Sequence, residues 1–78
     1  MRAFAMLHET GEVMGVLTLA VDMELIDLTP KVKARASTIH EEQVVNVRIY
    51  DGLNIITGDY ELPGGNVHEF SLTETKIL

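Results

Sequence analysis

Alternation of inward and outward side chains is the feature that most constrains how this chain folds. Within residues 2–8, the side chains of Phe4, Met6 and His8 share one face, because successive residues of a strand point to opposite sides. The same period of two recurs at residues 45–49, where aliphatic residues alternate with Asn and Arg. A repeated period of two predicts a β-sheet whose strands each have one buried face.

Glycine-containing turns divide these strands and set their pairing. Glu9–Glu12 includes Gly11, which can adopt the positive φ of a short hairpin loop. A loop centred on Thr10 and Gly11 makes the chain pair back on itself with a defined register. The predicted cross-strand pairs are Phe4 with Leu17, Met6 with Gly15 and His8 with Val13.

A second hairpin is predicted in the C-terminal half. Asp51-Gly52 lies between two β-rich segments, a typical hairpin signal, and the strand returns over residues 53–62. Within it, Gly58 indicates a bulge or a close approach by neighbouring atoms. Another turn at residues 63–66 leads into a last strand over residues 67–75.

Residues 13–28 admit two interpretations. Every odd position from 13 to 25 is apolar or glycine, which favours a long strand with a bend near residues 20–22. The alternative is a helix at about 13–25, because Gly11, Gly15, Thr18 and Asp22 recur at helical spacing. Following the break at Pro30, a further half-exposed strand is predicted over residues 31–37.

The predicted fold class is therefore all-β. Six antiparallel strands joined by short turns form a meander that curls into a barrel-like or strongly twisted sheet, in one domain over residues 1–78. The alternative is an α+β fold containing the helix at about 13–25. A chain of this size buries a small core without disulfides, so we expect it to form a homodimer.

Composition excludes several functional classes. The chain has no cysteine, which removes disulfides, thiolate metal sites and thiol nucleophiles. Its formal net charge of −6 disfavours general binding to nucleic acids or anionic membranes. No apolar segment is long enough for a membrane span, and the N-terminus lacks a signal-peptide pattern, so a cytoplasmic protein is expected.

The three histidines are each followed by glutamate: His8-Glu9, His40-Glu41 and His68-Glu69. Adjacent residues on a strand face opposite sides, so such a pair cannot hold one metal ion there. Separations of 32 and 28 residues also match no compact metal motif. We therefore expect no metal site and no cofactor, with His40 in a loop. A site in which His8 and His68 meet near one end of the sheet is the alternative.

Three of the six basic residues lie within five positions, at Lys31, Lys33 and Arg35. On a strand they would form a row of cations about 7 Å apart. Such a stripe either protects an edge strand from aggregation or contacts a partner protein. Together with Arg48, these residues are the predicted partner-binding set. Weak binding of nucleic acid or another anion through the stripe is an alternative, disfavoured because no aromatic residue is interleaved for base stacking.

No catalytic constellation is found in the sequence. The serines lack a nucleophile-elbow setting, and the paired carboxylates fall on faces expected to be solvated. The predicted function is therefore a non-enzymatic protein-interaction module, acting as an adaptor, subunit or inhibitor through an edge strand or the charged stripe. A β-domain that binds a small ligand or a metal ion is the alternative.

Overall fold

A computed structural model describes residues 1–76 of the chain. It contains one antiparallel sheet, a short 3-10 helix and one α-helix. The strands are β1 (Arg2–His8), β2 (Val13–Leu19), β3 (Asn46–Gly52), β4 (Ile55–Glu61) and β5 (Val67–Thr75), the 3-10 helix is Leu25–Leu28, and α1 is Thr29–His40. Their order in the sheet is β2-β1-β5-β4-β3. The predicted antiparallel sheet is confirmed, whereas the prediction of six strands is wrong because there are five among these residues.

The prediction for residues 31–37 is wrong, because this segment lies within α1. Val32 and Ala36 are its buried residues, and their spacing of four places both on one helical face. Pro30 lies in the first turn, where a missing N–H costs no hydrogen bond. The alternating apolar residues of this segment are therefore compatible with a helix as well as a strand.

The helix suggested as an alternative at about 13–25 is also wrong. Val13–Leu19 is strand β2, and only the four residues of Leu25–Leu28 near the end of the segment form a short 3-10 helix. The α-helix instead begins at the predicted break, with Pro30 in its first turn, and it lies between β2 and β3, the two edge strands of the sheet.

The pairing of β1 with β2 follows the prediction up to one bulge. Phe4 lies opposite Leu17 and Met6 lies opposite Gly15, as expected. The register then shifts, and Leu7 rather than His8 lies opposite Val13. Such a bulge places an extra residue on one strand. The expected pairing of His8 with Val13 is therefore wrong.

The second hairpin is present, but its loop lies two residues later than predicted. Gly52 pairs with Ile55 as the last residue of β3, so Leu53 and Asn54 form the turn. Asn54 has a φ of 66°, a conformation that asparagine tolerates better than most residues. Asn54, not Gly52, therefore adopts the left-handed conformation of this turn.

The core lies between one face of the sheet and the two helices. Its largest fully buried side chains are Tyr60, Phe4, Met6, Leu28, Val32 and Val44. Because β2 and β3 are the sheet's edges, the sheet is open over residues 1–76, and the predicted barrel-like curl is wrong. Neither helix in this part of the chain is long and apolar enough to cross a membrane.

Candidate metal centre

The fold brings the three histidines of the chain together. His8 is the last residue of β1, His40 is the last residue of α1, and His68 is the second residue of β5. One ring nitrogen from each histidine can be chosen so that all three nitrogens lie within 4.8 Å of one another. All three residues are partly buried. The cluster therefore unites residues far apart in the sequence at the end of α1.

Each histidine reaches this position through the regular geometry of its element. His8 continues the strand face that buries Phe4 and Met6. His40 follows Ala36 by four residues, so it extends the buried face of α1. His68 pairs directly with Tyr60 across β4 and β5. The sheet and the helix thus direct the three side chains to the same side of the sheet.

His68 lies at the centre of the cluster. Its ring centroid is 4.8 Å from that of His40 and 5.8 Å from that of His8. The Tyr60 ring stacks on His68, with centroids 5.4 Å apart and an angle of 18° between the planes. Because Tyr60 is fully buried, it provides a fixed aromatic surface against which the imidazoles pack.

Each imidazole has one nitrogen that faces a group other than a histidine. His8 Nδ1 lies 3.2 Å from Thr10 Oγ1, and His40 Nε2 lies 2.5 Å from the Tyr60 hydroxyl. His68 Nδ1 is buried without a hydrogen-bond partner in the described part of the chain, and Glu9 Oε1 is 3.8 Å from it. The remaining nitrogens are Nε2 of His8, Nδ1 of His40 and Nε2 of His68.

The surroundings of the cluster favour the neutral forms of His40 and Tyr60. Burial lowers the pKa of His40 from its ordinary value of 6.5, and the neighbouring His68 and His8 lower it further. Burial also raises the pKa of Tyr60, and the charge of Glu9 adds to that effect. Neutral imidazole is the form that binds metal ions, so His40 is held in the form suited to coordination.

A cation at this cluster would also be favoured by the helix. His40 lies in the last turn of α1, where the carbonyl groups give the helix end a partial negative charge. Three imidazole nitrogens are a typical donor set for zinc, copper or nickel. Zinc–nitrogen bonds of about 2.0–2.1 Å would place tetrahedral ligands about 3.3 Å apart, so side-chain movements of the order of 1 Å would close the site.

A cavity borders the cluster on the side of the β1–β2 hairpin. Its volume is about 500 Å³, and His8 and His40 line it. Val13, Met14 and Ile39 supply apolar walls. An ion bound to the histidines would therefore lie beside a partly apolar space open to small molecules.

The lowered pKa of His40 predicts that the metal-free protein loses stability in acid. The unfolded chain binds protons more readily than folded His40, so the stabilisation is complete above about pH 6.5 and is lost as the pH falls through the lower folded pKa. Nearby Glu42 opposes part of this effect. Urea unfolding with a chelator present, between about pH 8 and pH 5, should show a smaller decrease for His40→Gln. An equal decrease in both proteins would contradict the assignment to His40.

The predicted basic stripe is not a single row. All three residues lie on the helix α1 and not on a strand. Lys31 and Arg35 are four residues apart, so they share the helical face directed at β2, whereas Lys33, two residues from each, lies on a different side of the helix. The Lys31 ammonium donates a hydrogen bond to the carbonyl of Thr18 in β2. The Arg35 side chain passes so close to Gly15 that a Cβ there would lie 2.9 Å from Nε. Both residues therefore contact the edge strand.

Arg48, the fourth residue of the predicted partner-binding set, lies on β3. Its Nε is 2.8 Å from Asp59 Oδ1 on the neighbouring strand. The ion pair raises the pKa of Arg48, chiefly through this hydrogen bond. The structure thus places Arg48 on a different element from the other three residues and gives it a partner within the fold.

Three residues of the candidate centre lie outside the set that the sequence predicts: His40, Tyr60 and Glu9. His40 was expected in a loop, and the structure places it in α1. The signal was present in the helical spacing of Leu28, Val32, Ala36 and His40, the first three of which are buried. For Tyr60 and Glu9, the sequence holds no comparable signal, because their roles depend on pairing between distant strands.

Comparisons of this chain with protein-family models, with curated proteins and with solved structures found no match.

Proposed function

We propose that the protein binds a divalent transition-metal ion, with zinc as the first candidate, through His8, His40 and His68. The observation that supports this most directly is that all three histidines of the chain offer nitrogens within 4.8 Å of one another. Three separate elements contribute one ligand each, so the argument from sequence spacing against a metal site does not apply to this cluster.

Three protein ligands leave at least one coordination position open. Structural zinc sites are usually completed by four protein ligands, whereas sites that act on an exogenous molecule keep a position for water or substrate. The adjoining cavity, lined by His8 and His40, gives such a molecule access. We therefore propose a site that holds its ion together with an exchangeable small ligand.

Titration calorimetry with zinc chloride at neutral pH tests this proposal. The wild-type protein should bind one zinc ion per chain, and replacing any one histidine with glutamine should weaken binding by about 100-fold. Structural zinc sites bind their ion by roughly 10–16 kcal/mol through four ligands, and the lower end of this range corresponds to about 2.5 kcal/mol, or close to 100-fold, per ligand.

A double variant provides a control matched in composition. His40→Gln combined with Gln43→His keeps three histidines but moves one of them out of α1 to the exposed residue 43. It should bind zinc as weakly as His40→Gln alone. Wild-type affinity in the double variant, or no stoichiometric binding by the wild type, would overturn the proposal.

The protein-interaction module, its homodimer and a cytoplasmic location stay predictions from the sequence. Lys31, Arg35 and Arg48 all make contacts within the fold, which leaves fewer free cations for a partner than the predicted stripe would have. The metal centre is therefore the better supported of the two functions.

A further inference from the structure

We propose that Glu9 is a positioning residue of the metal centre, which accepts a hydrogen bond from Nδ1–H of His68 when Nε2 of His68 binds the ion. This inference rests on the proposed metal-binding function. It assigns a role to a carboxylate that is not itself a metal ligand, and it determines which nitrogen of His68 is available for coordination.

The position of Glu9 makes this contact accessible. Glu9 follows β1 directly and lies in the turn before β2, so it is released from the strict alternation of the strand. Its Oε1 is 3.8 Å from Nδ1 of His68 on β5. The Glu9 side chain is 44% exposed, whereas that of His68 is 25% exposed, so the glutamate has more freedom to move than the imidazole.

The unpartnered nitrogen of His68 requires such an acceptor. Nδ1 is buried and has no hydrogen bond in the part of the chain that the structure describes, and a buried polar atom without a partner is costly. Coordination through Nε2 requires its lone pair, so the proton of the neutral ring must be on Nδ1. A shift of about 1 Å by the carboxylate would then give an N–H···O bond of ordinary length.

The other two histidines already have their polar partners. Nδ1 of His8 lies 3.2 Å from Thr10 Oγ1 and accepts a hydrogen bond from the Thr10 backbone N–H, and the Tyr60 hydroxyl lies within hydrogen-bond distance of Nε2 of His40. Only the Glu9–His68 contact is longer than a hydrogen bond. Metal binding would therefore shorten the distance between Glu9 Oε1 and His68 Nδ1 to that of a hydrogen bond, and the strength of this hydrogen bond would contribute to the affinity for the ion.

Glu9→Gln tests this role, with Glu69→Gln as the matched control. Both substitutions remove one negative charge from an exposed residue adjacent to a histidine, but Glu69 alternates with His68 on β5 and points to the other face. We expect Glu9→Gln to weaken zinc binding by about 10–100-fold and Glu69→Gln to leave it unchanged. Metal-free melting temperatures should be equal in all three proteins.

Nitrogen-15 spectra of the imidazole rings distinguish a positioning role of Glu9 from a merely structural one, because they show which nitrogen of His68 carries the metal and which carries the proton. In the zinc-loaded wild type, Nε2 of His68 should carry the metal and Nδ1 a hydrogen-bonded proton. That proton should lose its low-field shift in Glu9→Gln. Zinc on Nδ1 of His68, or equal affinity of wild type and Glu9→Gln, would overturn this inference while leaving the metal site intact. Absence of zinc binding by the wild type would overturn both.

Discussion

Gly58→Ala is expected to lower the free energy of unfolding by about 3 kcal/mol, the upper part of the range for overpacked cores. Gly58 lies in β4 between Ile49 and Phe70 on the two neighbouring strands. A Cβ at this position would overlap the carbonyl oxygen of Arg48 and the Phe70 ring. The carbonyl belongs to a paired strand, so relief requires a movement of the backbone. The predicted close approach at Gly58 is thus confirmed.

Gly64→Ala serves as the control for this substitution. Gly64 lies in the turn between β4 and β5, and a Cβ there would have no heavy atom within 4 Å. It should therefore change the free energy of unfolding by less than about 0.5 kcal/mol. Urea unfolding followed by circular dichroism measures both variants. Equal midpoints for Gly58→Ala and wild type would show that β4 can accommodate a side chain at this position.

Zinc should raise the melting temperature by a large amount if the three histidines bind it. A ligand specific for the folded state, at about 100 times its dissociation constant, stabilises that state by about 2.7 kcal/mol. For a domain of this size, such a stabilisation corresponds to about 10–20 °C. Addition of a chelator should reverse the shift. The composition-matched double variant should show little shift, and a similar increase there would indicate zinc binding outside the cluster.

The sheet was largely predictable because its signals are local. The alternation in β1 and the glycine at position 11 predicted the first hairpin, including the pairing of Phe4 with Leu17. The bulge that moves His8 out of its predicted pairing with Val13 has no comparable signal in the sequence, since an extra residue changes the strand register without changing the composition. The Asp51-Gly52 pair predicts this turn two residues before its actual position at Leu53 and Asn54, because a glycine is a stronger hairpin signal than a lone asparagine.

The segment after Pro30 could not be assigned from periodicity alone. Val32, Ala34 and Ala36 alternate with polar residues, yet Val32 and Ala36 also fit a helical face. Packing decides the outcome: the helix covers the sheet and buries both side chains completely. A strand at this position would have left that face of the sheet without cover.

Only two of the three histidines of the candidate site could be placed from the sequence, because His8 and His68 lie on strands that the alternation predicts and His40 lies on a helix that it does not. His8 and His68 share the inward faces of their strands with neighbours such as Phe4 and Phe70, so their meeting at one end of the sheet was an available alternative. His40 could join them only once residues 29–40 were known to be helical. Because His40 is 32 residues from His8 and 28 residues from His68, a search for a compact metal-binding motif does not detect the cluster.

The pairing of β1 with β5 has a consequence for how the chain folds. These strands are sheet neighbours, although paired residues are separated by 62 positions at His8 and Phe70 and by 72 at Ala3 and Thr75. The β1–β2 hairpin and the β3–β4–β5 meander can each form early from local contacts, but joining them through β1 and β5 requires closure of a long loop, which is typically slow. His8 and His68 lie on the two strands that meet in this step. If the three histidines bind zinc as proposed, the rate at which zinc binding develops during refolding should report the pairing of β1 with β5.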